Sequence, residues 1–290
     1  MLKIKNQRKN PVFFAKVINS SYLCKNLCHV EKGRHYGIMK ISVVIITHNE
    51  ERNIGRCIES VKGVADEIIV VDSFSTDRTE EICKSFNVKF VQQEWMGYSE
   101  QKNFANSLAS NDWILSVDAD EELSEKLKES IKELKHKKLP DHNALSMNRL
   151  TNYCGRWIHF CGWYPDRKIR IWNRNVGSWS GEIHEKVVFS KEIRENVLKG
   201  DLLHYSFETA QDYENQMFKF AKMRGQQYFE NGKKHASFYL KVSPVFAFVQ
   251  HYIFQLGFLD GKDGYNICRV AYEATKLKYQ TLKELTDNKL

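Results

Sequence analysis

Trp113-Ile114-Leu115-Ser116-Val117-Asp118-Ala119-Asp120-Glu121 is an apolar, β-branched run that ends in acid. Bounded by polar sequence, it reads as a buried strand. Side chains alternate along a strand, so Asp118 and Asp120 are expected on one side at its carboxyl end. Two adjacent carboxylates repel unless a cation lies between them. Hard oxygen ligands suit Mg²⁺ or Mn²⁺, which in turn bind substrate phosphates. The alternative is a solvated acidic turn before a helix, with Glu121 and Glu122 as first-turn acids and Ser124 as cap.

Upstream, the pattern is regular. Ile41-Ser42-Val43-Val44-Ile45-Ile46-Thr47 is a nearly continuous apolar strand, followed by His48 to Asn53 and a helix through Ile54, Cys57, Ile58 and Val61. Glu67 to Asp72 forms a second strand, ending in Ser73-Phe74-Ser75-Thr76-Asp77 and a helix through Ile82 to Phe86. A third strand at Val88 to Val91 and a helix from about Ser99 to Ala109 lead back to the acidic run. Strands buried on both faces and separated by helices predict an α/β fold with a doubly wound, mostly parallel sheet. Ligands of such sheets bind beyond the carboxyl ends of the strands. Thr47 to Glu50, Asp72 to Asp77 and Asp118 to Asp120 all fall there, so three polar clusters converge on one crevice. No G-x-G-x-x-G follows the first strand and no G-x₄-G-K-[ST] occurs, which argues against a dinucleotide fold or a P-loop. An acidic crevice of this kind suits a nucleoside diphosphate held through its metal.

Ser42-Val43-Val44-Ile45-Ile46-Thr47-His48-Asn49-Glu50, Val70-Val71-Asp72-Ser73-Phe74-Ser75-Thr76-Asp77-Arg78-Thr79 and Asp118-Ala119-Asp120-Glu121 together resemble the nucleotide-sugar-binding half of an inverting family 2 glycosyltransferase of the GT-A fold, over roughly residues 40–190. The resemblance implies that Asp72 contacts the nucleotide base, that Thr47 lines the same pocket with Glu50 beside it, and that the D-x-D binds ribose and the metal–diphosphate. Asn49, Ser75 and Ala119 lie inside these motifs and are assigned to nucleotide-sugar binding with them. Lys102 is expected on a helix facing the crevice, against the diphosphate or simply solvated.

Beyond the acidic run, Ser124 to Lys138 is an amphipathic surface helix and Ala144 to Leu150 an alternating strand. An aromatic-rich stretch follows, with Trp157, Trp163, Tyr164, Trp172 and Trp179 as sugar-stacking or core residues. Tyr164 to Arg174 and Gly181-Glu182-Ile183-His184-Glu185 resemble the acceptor-side motifs of the same family, especially of lipopolysaccharide core glucosyltransferases. Inverting transfer needs a carboxylate to take the proton of the attacking hydroxyl. Glu185 matches the acidic position of the motif and is the expected base, with Glu182 second. His184 is a candidate for the metal shell, together with Asp118 and Asp120, or for orienting the acceptor. Arg170 is a candidate for the diphosphate, an acidic acceptor or a structural ion pair.

The 290 residues allow one large core with an appendage. Residues 1–40 hold nine Lys or Arg and one acid, whereas the remainder has 35 basic and 35 acidic residues, so the net charge of +8 belongs to the leader. The globular part gives no electrostatic ground for nucleic acid binding. Seven scattered cysteines predict a reduced, cytoplasmic protein, with Cys154 and Cys161 paired or merely packed. Residues 1–39 read as a basic leader with no secretory core, either poorly ordered or preceding a true start at Met39. Residues 40–203 are the expected catalytic domain and 204–290 a helical region.

Within that region Val245 to Leu259 is uncharged but short of a membrane-spanning helix. An interfacial helix or one packed on the catalytic domain is expected, with peripheral contact at the inner face of the cytoplasmic membrane. The resemblance therefore implies a transfer, dependent on Mg²⁺ or Mn²⁺, of a hexose, glucose first, from a UDP-sugar to a glycan acceptor such as lipopolysaccharide core. A polyprenyl-phosphate acceptor and a non-catalytic nucleotide-sugar- or glycan-binding relative are the competing readings.

Overall fold

The computed structural model describes residues 39–137, 139–181, 185–233 and 235–288. Glu182 and His184 lie outside the described residues, as does the leader to residue 38.

The three apolar runs form β1 (Ile41–Thr47), β2 (Glu67–Asp72) and β4 (Trp113–Asp118), with the short β3 (Lys89–Gln92) beside β2. Helices α1 (Ile54–Val61), α2 (Thr79–Ser85) and α3 (Tyr98–Ser107) connect them. These four strands are parallel, in the order β3-β2-β1-β4. The sheet continues through β8 (Asp166–Asn173), antiparallel to β4, then β6 (Asn143–Tyr153), β11 (Arg194–Phe207) and β5 (Glu121–Leu123). β6 and β11 run parallel to each other and antiparallel to β8, so they point the same way as β4. β7 (Arg156–Trp157) pairs with β6, and β9 (Gly177–Ser180) and β10 (Lys186–Phe189) form a separate hairpin.

Alternation along β1 builds both sides of the core. Val43 and Ile45 pack with Ile54 and Ile58 of α1 and with Leu127 and Ile131 of α4 (Glu125–Lys135). Val44 faces the opposite side, among Ala105 of α3, Ile114, Trp172 and Trp179. A continuous apolar run is what a strand covered by helices on both faces requires. The result is the expected α/β arrangement, a mixed sheet with helices on both faces.

Two boundaries differ from the pattern read in the sequence. β4 stops at Asp118, Ala119 and Asp120 form a turn, and Glu121–Leu123 leaves as the edge strand β5, antiparallel to β11. Asp118 and Asp120 therefore do not share a strand face, and Glu121 is not in the first turn of a helix. The second is that β11 carries the sheet on through Phe207, so His204 is a strand residue.

The helices that follow, α5 (Ala210–Glu230), α6 (Ala236–Val249) and α7 (Gly261–Asp287), do not stand apart from the sheet. Tyr153, Ile158 and Cys161 form one cluster with Tyr213 of α5 and Ile267 and Cys268 of α7, and the described residues make one compact unit. Cys154 is exposed while Cys161 is buried with its sulfur 3.9 Å from that of Cys268, so Cys154 and Cys161 do not pair.

Candidate functional site

In-register pairing sets Thr47 opposite Asp72 and Ile46 opposite Asp118, bringing three strand ends to one edge. Beyond that edge lies a cavity of about 680 Å³, lined by Thr47, His48, Glu50, Asp118, Ala119 and Asp120 among others. Thr47 Oγ1 is buried and has no hydrogen-bond partner among the described residues, which leaves a polar atom for a ligand. Burial pushes the Glu50 carboxyl up, with Asp120, Asp77 and Glu208 adding to it, against a hydrogen bond from Asn53.

Asp72, Asn49 and Ser75 are bonded to one another and to the loops around them. Asp72 is fully buried beneath the turn that follows β2, and it accepts the backbone N–H of Ser75 at 2.9 Å and the Ser75 hydroxyl. Asn49 adopts the left-handed region (φ 56°), donates its N–H to Ser75 Oγ at 2.8 Å and accepts the N–H of Thr76 at 2.8 Å. The Ser73 to Asp77 motif thus clasps the β1–α1 loop, because short polar side chains can satisfy turn backbone that no strand pairs.

The two acids of the D-x-D occupy different surroundings. Asp118 Oδ1 lies 2.9 Å from Lys102 Nζ, and Asp118 Oδ2 accepts from Arg170 Nη2 at 2.9 Å. Burial pushes Asp118 up, but Lys102 and then Arg170 outweigh it and hold the carboxyl far below the usual carboxylate range. Both cations are almost wholly buried, and Lys102 is also held above the Trp179 ring at 4.5 Å. Arg170 extends to Glu121 Oε1 at 2.5 Å, and Glu121 Oε2 accepts the Asp118 N–H at 3.0 Å. Lys102 and Arg170 are therefore committed to protein carboxylates rather than solvated.

Asp120 instead faces His204, with Oδ2 3.1 Å from Nε2. The antiparallel register of β5 and β11 sets His204 opposite Glu121, and the Tyr205 N–H donates to the Asp120 carbonyl at 2.9 Å. His204 Nδ1 lies 3.5 Å from Thr151 Oγ1 on the side of the ring away from Asp120. The sequence singles out His184, which lies outside the described residues, and does not single out His204. Its signal is a polar residue at the carboxyl end of a strand, hidden because β11 was read as the start of the helical region.

Glu185 reaches the site through Lys102 rather than by lining the cavity: its Oε1 lies 3.0 Å from Lys102 Nζ, so the expected base and Asp118 share one ammonium. The hairpin carrying Glu185 is fixed from α3: Asn103 makes two hydrogen bonds to the Trp179 backbone, each 2.9 Å, and Ser99 Oγ donates to the Gly181 carbonyl. Trp172 and Trp179 are core residues, packed edge to face at 5.5 Å. The aromatics that line the cavity are Trp95 and Tyr98, about half exposed and 4.8 Å apart, which the sequence reading did not single out.

The family model described as "Glycosyl transferase family 2" matches residues 42–197. The chain is 33% identical over 260 residues to the uncharacterized glycosyltransferase RT0209 of Rickettsia typhi, covering 85% of this chain and 88% of that one. It is 30% identical over 226 residues to the lipopolysaccharide core biosynthesis glycosyltransferase LpsC of Rhizobium meliloti, covering 74% and 81%. Among solved structures, S. aureus TarS 1-349 in complex with UDP aligns with a TM-score of 0.40 and 20% identity, over 87% of this chain and 92% of that one.

Proposed function

This chain belongs to glycosyl transferase family 2, and we propose that it transfers a hexose from a UDP-sugar, with inversion and with a divalent metal ion, to a hydroxyl of a cell-surface glycan. The observation that carries this reading is the arrangement around one cavity: Asp120 against His204 at 3.1 Å, and Glu185 joined to Asp118 through Lys102. A cavity of about 680 Å³ is within the usual range for a small-molecule site and leaves room for a nucleotide-sugar. Thr47, Glu50, Ala119 and Asp120 line it, and Asp72, Asn49 and Ser75 hold the loops that shape it. The likeness to LpsC favours a lipopolysaccharide core acceptor.

The residues fit a divalent ion at Asp120 and His204. The Asp120 carboxylate and the His204 imidazole, 3.1 Å apart beside the cavity, would supply two of its ligands. A carboxylate with an imidazole favours Mn²⁺ over the harder Mg²⁺. When bound, such an ion neutralises charge that develops on the departing diphosphate. Asp118 has both oxygens engaged by Lys102 and Arg170, so its role is to fix the turn that presents Ala119 and Asp120.

Glu185 takes the proton of the acceptor hydroxyl as its oxygen attacks the anomeric carbon. Its carboxylate is partly exposed, and its described side-chain partner is Lys102, which sets the orientation of one oxygen. Lys102 and Arg170 hold the Asp118 carboxyl in its ionised form.

Binding and hydrolysis of a panel of UDP-sugars, with and without Mn²⁺, test this reading in the wild type, Asp120→Ala and Glu185→Gln. Metal-dependent UDP binding lost in Asp120→Ala, with Glu185→Gln binding but not turning over, is the expected result. Absence of nucleotide binding under every condition overturns it.

A further inference from the structure

We infer that the outer face of α6 and the turn that follows it form a membrane-docking surface for an anionic lipid bilayer. Among the exposed residues at positions 236–259, Ser237 and Lys241 are the only polar ones; all the others are apolar. A solvent-facing helix surface normally shows the opposite pattern.

Phe238, Val242, Phe246 and Ile253 recur at helical spacing on the outer face, with Phe238 63% and Phe246 62% exposed. The inner face of the same helix is spent on the protein, where Leu240 and Tyr239 pack with Tyr279 and Leu282 of α7. Core packing therefore does not explain the outer stripe. After α6, a π-helical turn (Gln250–Phe254) and a 3₁₀ turn (Gly257–Asp260) reverse the chain into α7. The pair is bent by 71° at this break, and among the described residues no single helix is long and apolar enough to cross a membrane. At the apex Phe254 is 74% exposed, with Leu256, Phe258 and Leu259 beside it. The shape is a wedge with a greasy edge.

Two observations select a bilayer as occupant. Residues 231–259 contain no Asp or Glu, and Lys241 is exposed on the same helix as the apolar stripe, which suits negatively charged headgroups around an inserted apolar edge. The exposed apolar side chains offer no hydrogen-bonding groups, whereas protein interfaces carry about one hydrogen bond per 100–200 Å². Hydrocarbon makes no directional demand. This inference goes beyond the transferase reading and stands without it.

The test is co-sedimentation of the full chain with vesicles of phosphatidylglycerol and phosphatidylcholine, against phosphatidylcholine alone. The wild type is expected to partition onto the anionic vesicles, and Phe246→Glu/Phe254→Glu to lose about tenfold or more of that binding with its circular dichroism unchanged. The basic leader is present in both proteins, so equal binding by the double variant assigns the attraction to the leader and overturns the inference. Phe254→Trp reads insertion directly: its added emission should shift to the blue and be quenched by brominated lipid. Unaltered emission on bound vesicles overturns the inference. So does a wild-type dimer in sedimentation velocity that the double variant abolishes without any vesicle binding, because the face is then a contact between two copies.

Discussion

Lys102 Nζ lies 3.0 Å from Glu185 Oε1 and, on its other side, 2.9 Å from Asp118 Oδ1, so a single buried ammonium joins the loop of the expected base to the end of β4. Replacing it with an apolar side chain takes one of two cations from Asp118, which keeps Arg170, and the described partner from the partly exposed Glu185; removing one partner of a fully buried pair costs about 3–5 kcal/mol, which sets the upper bound here. Lys102→Met is expected to lower the unfolding free energy within that bound and kcat by about 100-fold or more. An unchanged melt together with an unchanged rate contradicts the positioning role.

His204 was placed by β11 rather than by a motif, and its Nε2 points at Asp120 from 3.1 Å. His204→Ala should raise the Mn²⁺ concentration needed for half-maximal UDP binding by about 10- to 100-fold, with the fold intact. A Mn²⁺ titration that superimposes on the wild type removes His204 from the ion's surroundings.

Acid should act on Asp118 in a particular direction. Its folded carboxyl is held well below its ordinary value of 3.8, despite burial, by Lys102 and Arg170. A depressed carboxylate contributes stability that is present above its unfolded pKa and is lost as pH falls through the folded value. Asp118→Asn is therefore expected to be less stable at neutral pH and to lose less on acidification from about pH 5 to pH 2. Urea midpoints across that range measure it, and parallel curves for the two proteins would sink the assignment. Glu121 works the other way: burial, opposed by Arg170 and reinforced by Asp118, pushes its carboxyl above 4.5, so its contribution falls as pH rises through that raised value.

Gly200 has φ +94° in β11, where the pairing with β6 shifts register, and a Cβ there would stand 2.4 Å from the backbone nitrogen of Leu127. Backbone cannot yield as a flexible side chain does. Gly200→Ala should cost about 2–4 kcal/mol in chemical denaturation, because strain and overpacking add. It also tests the path by which β11 delivers His204, so Mn²⁺ dependence should weaken with stability.

The apolar runs of β1, β2 and β4 were legible because a strand covered on both faces must be hydrophobic at every position, whatever follows it. The polar clusters at their carboxyl ends were legible for a related reason: parallel neighbours end together, so Thr47, Asp72 and Asp118 converge without knowledge of side chains. The inward burial of Trp172 and Trp179 was weighed against sugar stacking, and only packing between α3 and the sheet decided it.

What the sequence by itself determined is therefore the α/β sheet, the edge that holds the site and the motifs that carry the family. Tertiary structure alone decided how each acid of the D-x-D is used, since that depends on partners brought from α3, β8 and β11. Lys102 and Arg170 claim Asp118, whereas His204 meets Asp120 only because β5 turns back to pair with β11. The spacing of two aspartates is local, but the cations and imidazole around them come from distant positions in the chain, and pairing register rather than pattern sets which carboxylate each one reaches.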